Sequence, residues 1–267
     1  MTGLATLFGR PKALIGMVHL LPLPGSPRWG GRLEAVIERA LADARVLEDG
    51  GMQGCLVENY GDAPFTRGAV DPACVAAMTA VVAELRRALR IPLGVNVLKN
   101  DARAALAVAL AAGAAFVRIN VHVGAVLGDQ GIIQGEAYET LRYRRLLGAE
   151  VRLFADVQGK HAVSLAPVEL EQEARDAAYR GLADALIVSG KATGEATPLE
   201  EVKRVRGAVP DRPLLVGSGV TPETVRELLA VADGAIVGTS LKREGRLANP
   251  VDPARVTALV EAAGLAP

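Results

Sequence analysis

Residues 214–240 read LLVGSGVTPETVRELLAVADGAIVGTS. A short apolar run ends in Gly217-Ser218-Gly219. Thr221-Pro222-Glu223 then has the form of a helix start, with Thr as cap, Pro in the first helical position and Glu in the first turn. An amphipathic stretch follows, and a second apolar run ends in Gly238-Thr239-Ser240. This is one strand–helix unit and the strand of the next. Both strands are uniformly apolar, as in a parallel sheet covered on both faces.

The same unit recurs upstream. Apolar runs at 13–20, 54–57, 92–98, 115–121, 151–157 and 185–188 bring the total to eight. Amphipathic stretches separate them. The first has Leu33, Val36, Ile37, Ala40, Leu41, Ala44 and Leu47 on one face and stops at Gly50-Gly51. The second starts at Asp71-Pro72, with Val75, Met78, Val81, Val82, Leu85 and Leu89 as its apolar stripe. Further helices are predicted over 101–113, up to 147, over 168–180, from Pro198 to before Pro210, from Thr221, and over 252–263. A Gly-rich loop is expected over 124–135.

Eight strand–helix units predict an α/β fold, a single-domain (β/α)8 TIM barrel over 1–267. An open doubly wound sheet would favour a Gly-x-Gly-x-x-Gly turn after the first strand, where this chain has PLPG at 22–25. No linker or composition break marks a second domain.

The totals fit. Half of the 267 residues are hydrophobic but only 3% are aromatic, so the core must be built from Ala, Val, Leu and Ile. Thirty basic residues balance thirty acidic ones, which gives no field to attract nucleic acid or an anionic membrane. Cys55 and Cys74 match no zinc spacing and are expected as reduced thiols. No signal peptide or membrane-length apolar run is visible, so a cytoplasmic location is expected.

In such a barrel the strand ends share one mouth. All three histidines, His19, His122 and His161, fall at strand ends. Four of the six lysines, Lys99, Lys160, Lys191 and Lys242, follow strands three, five, six and eight. Glycines 217, 219 and 238, with Ser218, Thr239 and Ser240, form the expected phosphate site, because exposed N–H groups there attract an anion. The competing reading is that these glycines only make tight turns.

Asp156 can serve as general base, metal ligand or orienter of His161. Lys160 suits an anion or a Schiff base. Otherwise this loop is merely solvated. Glu58 closes an apolar strand and needs a partner there, either a ligand or a salt bridge to Arg118 or Lys99. Arg118 and Asn120 alternate on the fourth strand and should face inward, Arg118 as a two-pronged anion clamp. Asn96 on the third strand faces the same space or a polar layer beneath it. His19, Glu58, Asp156 and His161 could together hold a divalent metal, although no close His spacing supports one. Lys191 is a further ligand candidate. Trp29 is a lid over the ligand or a plug beside a helix. Leu4, Leu7 and Phe8 have no evident core partner, which raises the expectation of a homo-oligomer.

Several motifs carry a family resemblance. IGMVHLLPLPGSP (15–27), VENYGDAPF (57–65), GVNVL (94–98), FVRINV (116–121), ADVQGKH (155–161) and VSGKATG (188–194) lead to VGSGV (216–220) and VGTSLK (237–242). The whole pattern resembles the BtpA family, which includes the SgcQ-like proteins. The resemblance implies a barrel fold. One branch of the family is associated with photosystem I accumulation in cyanobacteria, and other members are described as nucleosidases or phosphosugar enzymes.

Two functions follow as expectations. One is an enzyme acting on a sugar phosphate, nucleoside or nucleotide-like compound, with Asp156 as acid/base assisted by His161 or Glu58. N-glycosidic hydrolysis would use carboxylates to stabilise an oxocarbenium-like state, by analogy with glycoside hydrolysis. An aldolase or isomerase would use Lys160 or Lys191. The other is a non-catalytic assembly or stability factor with an exposed apolar patch.

Overall fold

A computed structural model describes residues 3–190 and 194–265. Eight parallel strands close into a barrel: β1 (Ala13–His19), β2 (Gly54–Glu58), β3 (Leu93–Asn96), β4 (Phe116–Ile119), β7 (Arg152–Val157), β9 (Ala185–Val188), β10 (Leu214–Val216) and β11 (Gly234–Val237). Around the wall the order is β1-β11-β10-β9-β7-β4-β3-β2, so β3 stands diametrically opposite β10. Three short strands lie outside the barrel, β5 (Ala125–Gly128), β6 (Gly131–Gln134) and β8 (Ala162–Ser164).

The helices fall where the periodicity places them: α2 (Leu33–Asp49), α3 (Pro72–Ala88), α4 (Ala102–Ala112), α5 (Ala137–Leu146), α6 (Leu170–Arg175), α7 (Leu199–Ala208), α8 (Val225–Val231) and α9 (Pro253–Ala262). The Asp71, Asp101 and Asp252 carboxylates accept backbone N–H groups of the first turns of α3, α4 and α9. Two boundaries differ from expectation. The 168–180 stretch is α6 continued by a π turn over Asp176–Arg180. Thr221 does not cap α8, which begins four residues later after a turn in which Thr221 N–H donates to Thr224 Oγ1 at 3.1 Å.

Inside the barrel, Phe116 and Phe154 stack at 4.7 Å between ring centres. Residue 94 must be Gly because a Cβ there would run into the Phe116 ring. Below them sits α1 (Gly3–Phe8), with Leu4 and Phe8 buried and the Phe8 ring edge-on to Phe116 at 5.7 Å. The short helix plugs the N-terminal end of the barrel. Leu4 and Phe8 therefore have an intramolecular partner, which removes the reason for expecting an oligomer from them.

The region 124–135 is not a loop. β5 and β6 form a hairpin, and β8 joins it as an antiparallel sheet in the order β6-β5-β8. Val126 and Ile133 turn inward onto Val121 and Ala162. Leu127, Ile132 and Val163 lie on the other face, about half exposed. The sheet stands beside the mouth and ties the fourth βα loop to the fifth. No helix among the described residues is long and apolar enough to cross a membrane.

Candidate active site

The mouth holds a cavity of about 660 Å3. Its floor is a polar layer between adjacent strands β4 and β7. Arg118 donates from Nε to Asp156 Oδ1 and from Nη2 to Asp156 Oδ2, both at 2.9 Å. Asn120 Nδ2 donates to Asp156 Oδ2 at 2.9 Å, and Asn96 Nδ2 donates to Asn120 Oδ1 at 3.0 Å. The period-2 alternation brings Arg118 and Asn120 to the same side, as expected.

This layer changes several assignments. Arg118 faces the cavity, but its Nε–Nη2 edge is closed on Asp156, which leaves Nη1 for a ligand. Asn96 lies in the polar layer beneath and does not line the cavity. Asp156 does not orient His161; both its oxygens accept hydrogen bonds from Arg118 and Asn120. Glu58 makes no salt bridge with Arg118 or Lys99. Its nearest basic atom among the described residues is His19 Nε2, at 3.9 Å on the neighbouring strand.

Glu58 lines the cavity and receives no hydrogen bond from any described residue. Burial pushes its carboxyl above the usual range, partly offset by Arg118 and Lys160. His19 stays neutral: burial first, then Lys242, Lys160 and Arg118, lower its pKa to about 3. Its ring meets Tyr60 edge-on at 5.2 Å.

Lys160 reaches across to the carbonyl of Gly217, with Nζ donating at 2.7 Å. Burial, and then Arg118, lower its pKa to about 8. Lys99 Nζ donates to the carbonyl of Lys160 at 3.3 Å, and burial lowers its pKa too. His161 lines the rim next to Lys160, with a left-handed backbone (φ 55°).

Gly217, Ser218, Gly219, Gly238, Thr239 and Ser240 form the opposite wall. The glycines are required by the protein itself. A Cβ on Gly217 would stand 2.5 Å from Ser189 Oγ, one on Gly238 would stand 2.9 Å from His19 Cε1, and one on Gly219 would strike the backbone of Ala196. Backbone donors remain for a ligand: the N–H groups of Gly219, Thr239 and Ser240 donate to no described residue. Ser240 Oγ is spent on the carbonyl of Val220 at 2.7 Å.

Three expected participants are elsewhere. His122 is buried away from the cavity, with Nε2 against the carbonyl of Gly181 at 2.7 Å. Lys242 is fully buried behind the wall, where Nζ donates to Asp43 Oδ2 at 2.8 Å. Trp29 packs on the helical layer and does not line the cavity, which is the plug and not the lid. Lys191 falls outside the described residues. Among the described residues, no three His, Cys, Asp or Glu side chains converge as metal ligands, so His19, Glu58, Asp156 and His161 do not form the metal set considered.

Lys99, Tyr60 and Asp129 also line the cavity. Lys99 was noticed at a strand end but given no role in the site beyond a possible salt bridge to Glu58. Tyr60 and Asp129 had no signal beyond their loops. Asp129 reaches the rim because the β5–β6 hairpin carries it there.

The BtpA family model matches residues 10–264. The photosystem I biogenesis protein BtpA of Synechocystis sp. is 48% identical over 249 residues, 93% of this chain and 87% of that protein. Among solved structures, orotidine 5'-phosphate decarboxylase from Pyrococcus horikoshii superposes with a TM-score of 0.60 at 14% identity, covering 94% of this chain and 99% of that one. Thiamine phosphate pyrophosphorylase from Pyrococcus furiosus gives 0.58 at 16% identity, covering 95% and 96%. At such identities the two structures speak for the TIM-barrel fold alone.

Proposed function

The chain belongs to the BtpA family, and we propose that it is an enzyme acting on a small phosphorylated sugar or nucleotide-like compound held in the barrel mouth. The phosphate sits on the N–H groups of Gly219, Thr239 and Ser240. Glu58 and Lys160 form the acid–base pair. The observation that carries this reading is their joint placement. A cavity-lining carboxylate without a hydrogen-bond donor, its pKa raised, shares the site with a lysine whose pKa is lowered to about 8. Groups tuned toward neutrality from both sides suit proton transfer near pH 7. Asp156 fixes Arg118 and keeps a permanent ion pair under the reacting groups. Both barrels of similar fold are named for phosphorylated compounds, which agrees with the reading.

Thermal unfolding against a panel of sugar phosphates, nucleosides and nucleotides tests this, with Thr239→Asp as control. A ligand at a hundred times its dissociation constant adds roughly 2.7 kcal/mol. Phosphorylated compounds should raise the midpoint of the native protein and not of the variant. No shift across the panel would sink the proposal. The second reading, a non-catalytic assembly factor, is favoured by the name of the cyanobacterial relative and by the exposed row Leu127, Ile132 and Val163. It predicts that Glu58→Gln leaves biological function intact.

A further inference from the structure

Among the described residues, the lysines paired with carboxylates are Lys203 and Lys242. Lys99 and Lys160 are not. Lys99 is buried and Lys160 partly buried; each lines the cavity and gives one donor to a backbone carbonyl, so two N–H donors on each ammonium remain. Buried charge is normally paired. The carboxylates facing these lysines do not fill that role. Asp156 is closed on Arg118, Glu58 is held toward its neutral form, and Asp129 is an exposed hairpin residue that forms no ion pair with Lys99. The mouth thus keeps an excess of positive charge on the side of β3 and β7.

Position separates this charge from the phosphate wall. Lys99 follows β3, and β3 is diametrically opposite β10, whose loop supplies Gly219. Lys160, after β7, lies between them and touches both sides, through Gly217 O and through its own carbonyl under Lys99. A single phosphate on the β10 and β11 loops would lie across the mouth from the strand that carries Lys99.

We propose that the ligand carries two anionic groups at opposite ends, one on the Gly219, Thr239 and Ser240 loops and the second, a carboxylate or another phosphate, received by Lys99 with Lys160. This rests on the phosphate reading above and narrows it to sugar bisphosphates or phosphorylated sugar acids. Lys99 is then the specificity residue for the distal anion.

Isothermal titration with inorganic phosphate, ribose 5-phosphate, fructose 1,6-bisphosphate and 6-phosphogluconate tests it. At least one of the two doubly anionic probes should bind about tenfold or more tighter than ribose 5-phosphate, and which one does so identifies the second group. Lys99→Met should abolish that advantage while leaving ribose 5-phosphate affinity within about twofold, and Lys99→Arg should keep most of it. The melting midpoint of each unliganded variant shows that it is folded. An advantage that survives Lys99→Met, or that is absent from the native protein, overturns the inference. If ribose 5-phosphate still binds and Thr239→Asp abolishes that binding, the phosphate reading stands on its own. Binding of none of the four probes overturns both.

Discussion

Arg118 and Asp156 face each other on neighbouring barrel strands and are joined by two parallel hydrogen bonds of 2.9 Å, with their side chains 5% and 1% exposed. They lie 38 residues apart in the chain. The pair forms the floor of the cavity and determines which other polar groups remain available to a ligand.

Breaking this pair from one side leaves a buried charge without a partner. Asp156→Leu and Arg118→Met should each cost about 3–5 kcal/mol, and the double variant should recover much of the loss. Denaturant unfolding of the four proteins measures the coupling. Additive single effects would show that the two side chains do not depend on each other.

Glu58→Gln should be more stable than the native protein at neutral pH. The folded state raises the Glu58 pKa above its unfolded value of about 4.5, so folding favours the protonated form. That contribution is fully present below the unfolded pKa and is lost as pH rises through the folded one. The gain of the Gln variant should therefore be near zero at about pH 4, grow upward from there and level off. Melting midpoints across pH 4–8 follow it; a constant difference would contradict the buried-carboxylate account.

Lys160 should titrate near pH 8. After reductive methylation with 13C-formaldehyde, one dimethyl-lysine resonance should move with that midpoint and be missing in Lys160→Arg. The sign for stability is opposite to that of Glu58. The folded pKa is lowered, so the folded protein gains stability as pH rises through about 8. Lys160→Met should accordingly stabilise at pH 7 and lose that advantage at higher pH.

Phe8 plugs the barrel from below. Phe8→Ala removes a ring from contact with Phe116 and with the face of Gly54, and should cost about 3–5 kcal/mol. Ligand affinity at the other end should change little. A cost within about 0.5 kcal/mol, the size of an ordinary surface substitution, would mean that α1 is not part of the core.

The sequence by itself determined the architecture. Apolar runs of strand length, 3.6-residue stripes on the helices and the Asp71-Pro72 start of α3 are local signals, and they specify a barrel rim carrying Glu58, Asp156 and Lys160. Only the tertiary structure decided the partners. Arg118 closes on Asp156 and Lys242 on Asp43, the latter 199 residues away in the chain. The 124–135 segment becomes a hairpin because 162–164 gives it a third strand. Leu4 and Phe8, without a partner in sequence, find one under the barrel. Local pattern sets which face of an element is apolar, but a charge in a low-dielectric interior takes its role from whichever opposite charge or carbonyl reaches it, and chain closure alone settles that.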